Sequence, residues 1–210
     1  MPDISELPVL TNFDPATIVT PGEFDYWKLR NSRTFFIDYE FEDDYRLIEL
    51  AKSITQMNME EKDVPADQLK PIYIFIQSYG GDMDQAFYFA DLLTTSRIPI
   101  VTVATGVCMS AGCIILLAGT RRYAFKHSQI LIHSGSAGFS GTAEQIAEAK
   151  KNYDRMLAQM KDYIVERTVI DSKTFNKNKT KDWYIGGKDI EQYGVAQLIN
   201  NFADITGGAA

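Results

Sequence analysis

The spacing of apolar residues changes several times along this chain, and each change marks an element. PIYIFIQ (71–77) and IPIVTVA (98–104) are short, nearly continuous apolar runs, rich in β-branched and aromatic residues. That is the pattern of strands covered on both faces. Between them DMDQAFYFADLLTTS (82–96) reads as a helix. Strand, helix, strand at this spacing predicts parallel βαβ units and an α/β fold. Upstream, RTFFID (33–38) reads as a strand and DDYRLIELAKSITQM (43–57) as a helix. The helix has Leu47, Ile48, Leu50, Ile54 and Met57 at near-helical spacing, and acids at its start, where the helix dipole favours them. EEKDVPADQLKP (60–71) reads as a charged loop.

The second half follows the same logic. SQILIH (128–133) predicts a strand, and SGSAGFSG (134–141) is a Gly/Ser stretch. TAEQIAEAKKNYDRMLAQMKDYIVERT (142–168) predicts one long helix. Its apolar residues Ile146, Tyr153, Leu157, Met160 and Ile164 make a single stripe. At about 1.5 Å per residue it reaches roughly 40 Å, beyond the usual globular helix. DWYIGG (182–187), KDIEQYG (188–194) and VAQLIN (195–200) close the chain as strand, helix, strand. Residues 1–24 hold prolines and no sustained period, and read as an N-terminal arm ahead of one domain, 25–205.

Composition narrows the classes. The chain has 210 residues, 45% of them hydrophobic, which is enough for one core. Its net charge is −7 and no Lys/Arg cluster stands out, so nucleic acid and anionic membrane are not expected partners. No charged-then-apolar leader follows Met1 and no apolar run nears about 18 residues, so neither a signal peptide nor a membrane span is expected. The only cysteines, Cys108 and Cys113, have no metal-type spacing and apolar neighbours. They read as reduced core thiols of a cytoplasmic protein.

The candidate chemistry sits in VATGVCMSAGCIILLAG (103–119), where apolar flanks enclose one hydroxyl, Ser110, among small residues. A serine at a helix start has unpaired backbone N–H groups beside it, and small neighbours admit a substrate backbone. M-S-A-G resembles a strand-to-helix nucleophile turn, although it lacks the first glycine of G-x-S-x-G. Serine is also a common N-cap, and that reading stands beside the first. Of the two histidines, His133 ends a strand before Gly-rich backbone, where a base can face a cleft. It can equally be a packing residue. His127 reads as an exposed loop residue. In QSYGGD (77–82), Gly80 and Gly81 allow close backbone approach, so their N–H groups suit half of an oxyanion hole, or an ordinary βα turn. Asp182 can orient an imidazole or simply start a strand.

Taken in order, these segments resemble the proteolytic subunit of the Clp protease. IYIFIQSYGGDMDQAF resembles the family's strand, S-P-G-G turn and helix. GVCMSAGCIILLAGTRRYAF resembles its nucleophile segment, apolar helix and basic turn. SQILIHSGSAGFSGTAEQIAEA resembles its histidine strand, glycine-rich handle strand and handle helix. KDWYIGGKDIEQYGVAQLI resembles its aspartate segment and closing strand. The resemblance covers roughly residues 30–200.

It implies a crotonase-like ββα superhelix with a handle, 134–168, made of the long helix and a short strand. It implies a serine endopeptidase with Ser110 as nucleophile, His133 as general base and Asp182 as its orienting carboxylate. Gly81 and Ala111 N–H groups would hold the oxyanion. Substrate would pair as an added strand with the handle, through Ser136 and Gly138, and with the backbone from Asp82. No metal or cofactor is implied. Stacked heptameric rings would enclose a chamber for unfolded polypeptides, fed by a separate AAA+ unfoldase ATPase, and the long helix would serve the contact between rings. The chain departs from the family pattern at Tyr79 (a proline there), at Ser134-Gly135 (Gln-Pro there) and at Trp183 (an arginine that helps couple the rings). Two other readings are a non-catalytic ring subunit and an acyl-CoA enzyme of the same fold. A Ser–Lys peptidase would need a lysine base where the His133 and Asp182 segments already supply a triad.

Overall fold

The computed structural model describes residues 28–42 and 45–206. The expected arm, 1–24, lies outside the described residues, as do the two acids Asp43 and Asp44 that begin the expected first helix. The backbone divides into two units with the boundary between Thr34 and Phe35, and the core and the candidate site lie in the second.

The strands are β1 (Thr34–Ile37), β2 (Ile72–Ser78), β3 (Ile100–Met109), β4 (Arg121–Ala124), β5 (Gln129–Ile132), β6 (Trp183–Gly186) and β7 (Gln197–Leu198). The helices are α1 (Arg46–Glu60), α2 (Met83–Thr95), α3 (Ala111–Leu117), α4 (Ala143–Arg167), α5 (Ser172–Asn178), α6 (Asp189–Gln192) and α7 (Ala203–Thr206). The sheet runs β1-β2-β3-β4-β7, with β5 branching from β3 and β6 pairing with β5. β2, β4 and β5 pair parallel with β3, and only β5–β6 among the registered pairs is antiparallel. This is an α/β fold with a parallel-dominated sheet.

The apolar runs of β2 and β3 follow from burial on both faces. Ile72, Ile74, Ile76, Ile100 and Ala104 join the main core. Phe75, Val101 and Val103 point the other way, into a smaller cluster with Tyr123 and Ile205. Successive strand residues alternate faces, so an all-apolar run needs cover on both. In α1, Leu47, Leu50 and Ile54 are buried, whereas Ile48 is exposed and so leaves the expected stripe. In α2, Ala86, Phe89, Ala90 and Leu93 supply the buried face, and Asp82 caps the start by accepting from Gln85 N–H at 2.8 Å. Every residue of α3 is buried, which explains its lack of a polar face. Each Leu or Ile there contributes about 1.5–3 kcal/mol of burial free energy.

Several boundaries differ from the sequence pattern. β3 continues to Met109, past the expected end at Ala104, because its partner changes. Val101 to Ala104 pair with β4, whereas Val107 to Met109 pair with β5. The fork is held at Ala104, whose carbonyl accepts from Phe125 N–H at 2.9 Å and from the buried Ser128 hydroxyl at 2.7 Å. RRYA, expected as a basic turn, is strand β4. Helix α5 was not foreseen in its basic stretch, and Asp171 caps it. Residues 134–141 form no strand within this chain. A strand needs a partner strand, and none is supplied among the described residues. α4 begins with a capping box, in which the Thr142 hydroxyl and the Gln145 side chain each take the other's backbone N–H. Residues 143–152 of α4 are exposed, while Met160 and Ile164 enter the core.

Candidate active site

Three chain segments converge because two registers share β5. In the parallel register Met109 lies opposite Leu131, and the next residue, Ser110, donates its N–H to the Leu131 carbonyl at 2.9 Å. In the antiparallel register Ile132 lies opposite Trp183. The next pair outward is His133 and Asp182. The fork in the sheet therefore delivers a serine, a histidine and an aspartate to one place.

The side chains meet. His133 Nε2 lies 2.9 Å from Ser110 Oγ, and His133 Nδ1 lies 3.2 Å from Asp182 Oδ1. Both contacts are satisfied when Nδ1–H donates to the carboxylate and Nε2 accepts from the hydroxyl. The histidine side chain is 27% exposed and the aspartate 59%. Water therefore screens the His–Asp pair, and its energy is modest.

Ser110 stands at the N-cap position of α3, yet its hydroxyl makes no capping bond. Its backbone has φ 52° and ψ −122°. Positive φ costs a non-glycine residue free energy, and such strain gathers at sharp strand-to-helix turns that present a side chain. The N-cap reading of the sequence thus holds for the position and not for the hydroxyl.

The double glycine is required by contact. Gly80 has φ +103°, and a Cβ there would lie 2.7 Å from Met109 O and 2.9 Å from Ala111 N. Gly81 has φ +134°, and a Cβ there would strike the Phe41 backbone. Phe41 holds this turn by donating to Gly80 O at 2.7 Å and accepting from Asp82 N–H at 2.6 Å. Gly80 N–H is taken by Ser78 Oγ at 3.1 Å. Among the described residues, the N–H groups of Gly81 and Ala111 have no acceptor. They remain available to an oxygen beside Ser110.

The remaining expected residues fall as follows. Ser136 and Gly138 are exposed in the irregular stretch after His133, and nothing lies within 4 Å of a Cβ built on Gly138. Asp82 has its side chain on Gln85 N–H, its own N–H on Phe41 and its carbonyl on Ala86 N–H. Its N–H is thus used within the chain, whereas its carbonyl keeps a second lone pair. His127 is exposed, as expected. A cleft of about 620 Å³ opens over Ser110 and His133. It is also lined by Tyr153, Met156, Gln129 and Tyr184, which sequence reasoning missed. The alternation in WYIG was the available signal for Tyr184, since Trp183 and Ile185 turn to the core and Tyr184 turns outward.

The cysteines lie behind the serine and outside its chemistry. Burial pushes the Cys108 thiol well above its ordinary range, and the Cys113 thiol to about 12, with Arg122 pulling the latter the other way. Both stay protonated and unreactive at neutral pH. Among the described residues no group of three or more His, Cys, Asp or Glu side chains is placed to hold a metal, and no helix is long and apolar enough to cross a membrane.

A sequence model of the family described as "Clp protease" matches residues 25–202. The chain belongs to the Clp protease family. It is similar to "ATP-dependent Clp protease proteolytic subunit 2" of Treponema denticola, 34% identical over 139 residues, which is 65% of this chain and 70% of that one. It is also similar to "ATP-dependent Clp protease proteolytic subunit 3" of Rhodococcus jostii, 29% identical over 143 residues, covering 67% and 71%. "ATP-dependent Clp protease proteolytic subunit 2" of Treponema pallidum is 27% identical over 139 residues, again 65% and 70%. Position 183, where the resemblance led to an arginine being expected, is Trp183. Here the indole is half-buried, edge to face with Tyr193 at 5.2 Å between centroids. It packs against the core and brings no charge to the edge of β6.

Proposed function

We propose that this chain is a serine endopeptidase subunit that cleaves unfolded polypeptides by acyl transfer. One observation carries the reading: His133 bridges Ser110 and Asp182 at hydrogen-bond distance on both ring nitrogens. His133 takes the Ser110 proton as the hydroxyl attacks a peptide carbonyl. It then gives that proton to the leaving amine, and Asp182 stabilises the imidazolium between the two steps. The Gly81 and Ala111 N–H groups donate to the developing oxyanion. Water, activated by the same histidine, releases the acyl enzyme.

Substrate recognition rests on the irregular stretch 134–141. An extended substrate supplies the missing partner, so the stretch pairs as a strand through Ser136 and Gly138, with affinity drawn from main-chain bonds. Asp82 keeps α2 and the Gly80–Gly81 turn in place. Membership of the Clp protease family supports a homo-oligomer, with stacked heptameric rings around a chamber, working with a separate AAA+ ATPase in the cytoplasm. The exposed first half of α4 supplies the surface for such a contact.

A fluorophosphonate probe tests the chemistry directly. Wild-type protein is expected to be labelled at Ser110 and to cleave short fluorogenic peptides, and Ser110→Ala to do neither. Labelling absent from a fully assembled wild type would leave a non-catalytic ring subunit as the function.

A further inference from the structure

Ser134 directly follows His133, and each of its polar groups is engaged. Its N–H and its hydroxyl both donate to the Lys179 carbonyl, at 3.3 and 2.6 Å. Its own carbonyl accepts from the Tyr153 hydroxyl at 2.7 Å. Lys179 is the C-cap of α5, so its carbonyl is one that a helix leaves without an internal partner. Ser134 therefore joins three segments: the end of β5, the end of α5 and the middle of α4.

The junction lies where the sheet stops. The β5–β6 ladder ends at Ile132 opposite Trp183. Among the described residues no backbone bond joins His133 to Asp182. Their side-chain contact is 3.2 Å long, with the carboxylate 59% exposed, so water competes for it. Strand ends beyond the last ladder bond fray unless something else ties them. The turn from Lys179 to Asp182 is short and is closed by Lys181 N–H on Asn178 O at 3.1 Å. Holding Lys179 O against Ser134 therefore holds the approach of Asp182 to His133.

We propose that Ser134 is a positioning residue for peptide hydrolysis: its hydroxyl pins the Lys179–Asp182 turn to the end of β5 and so sets the His133–Asp182 geometry. This rests on the reading that Ser110, His133 and Asp182 carry the reaction. Tyr153 steadies the same peptide from α4. Gly135, with φ +72°, turns the chain directly after this junction, so pairing with a substrate strand is expected to begin beyond it.

The test is steady-state cleavage of a short fluorogenic peptide by the full-length assembled protein. Ser134→Ala is expected to lower kcat about tenfold with KM within about twofold, since small misplacements of a catalytic group cost up to about 10²-fold. Ser134→Thr, which keeps the hydroxyl, is expected to recover most of the loss. Fluorophosphonate labelling of Ser134→Ala is expected to be slower but to reach the wild-type endpoint, whereas mere misfolding would lower the endpoint. If Ser134→Ala does not assemble, Ser134→Cys, nearly the same size with a weak donor, takes its place with the same expectation. A wild-type kcat in the variant lacking the hydroxyl, or a threonine variant no better than it, overturns the proposal. Ser110→Ala separates the two claims. If it remains active, the underlying reading fails. If it is inactive while Ser134→Ala cleaves normally, only the positioning role fails.

Discussion

At the scale of single residues, His133 and His127 are the sharpest contrast in the chain. They are six positions apart, yet one bridges Ser110 and Asp182 and the other faces solvent. His133→Ala is expected to slow peptide cleavage by several orders of magnitude, because members of such a unit do not act additively. His127→Ala is expected to leave the rate within about twofold. Assaying both with one peptide checks the placement, and a reversed order rejects it. Asp182→Asn is expected to keep the fold and lose most turnover, through the wrong imidazole tautomer. The thiols give a pH prediction. Cys113 is raised from an ordinary value near 9 to about 12 by burial, and Cys108 is raised too. The folded chain thus holds protons that the unfolded chain releases near pH 9. Stability contributed this way is complete below about pH 9 and falls as pH rises toward 12. Tyr163, raised to about 12 by burial, adds a loss of the same sign at higher pH. Melting temperature measured between pH 8 and 11 should fall, and less steeply in a Cys108→Ala, Cys113→Ala double variant.

At the scale of elements, α4 divides into two parts that the sequence presents as one stripe. Ile164 is 1% exposed and belongs to the core, whereas Ile146 is 38% exposed. Charging the stripe therefore has different outcomes at its two ends. Ile164→Glu places a carboxylate among apolar side chains, which costs several kcal/mol, and the expected result is unfolding of the protomer. Ile146→Glu should leave circular dichroism and melting of the protomer unchanged and reduce the sedimenting species. If Ile146→Glu instead unfolds the protein, the first half of α4 packs within the protomer. Thr142→Ala removes the capping box at the start of this helix and should cost about 1 kcal/mol in denaturant titration.

At the scale of the whole molecule, cleavage and assembly are expected to move together. Residues 134–141 have no partner strand among the described residues, and they precede a helix whose first turns are exposed. If that helix docks on another protomer, the stretch proposed to pair with substrate is expected to become ordered. Sedimentation and peptide cleavage measured on one sample should therefore fall together in Ile146→Glu. Wild-type protein without an ATPase should cut short peptides and spare stably folded proteins. Trp183 packs inward against Tyr193 and brings no charge; if rings form and their coupling needs an arginine at this position, single rings should keep measurable activity. A species near 24 kDa that digests folded proteins at full rate would reject the chamber and leave the serine chemistry standing.

The sequence by itself determined the βαβ frame, the buried serine segment and the candidate residues. Those follow from local rules: apolar runs need two covered faces, turns need glycine, and a chain with two histidines offers few bases. Only the tertiary structure decided that β3 continues to Met109, that RRYA is a strand, and that the capping serine caps nothing. It also decided that Tyr153 and Lys179 meet on Ser134. Strand length, hydroxyl partners and clamps depend on which distant segment arrives alongside. Here that is the exchange of β4 for β5 along one edge of β3, a contact between segments that no local spacing encodes.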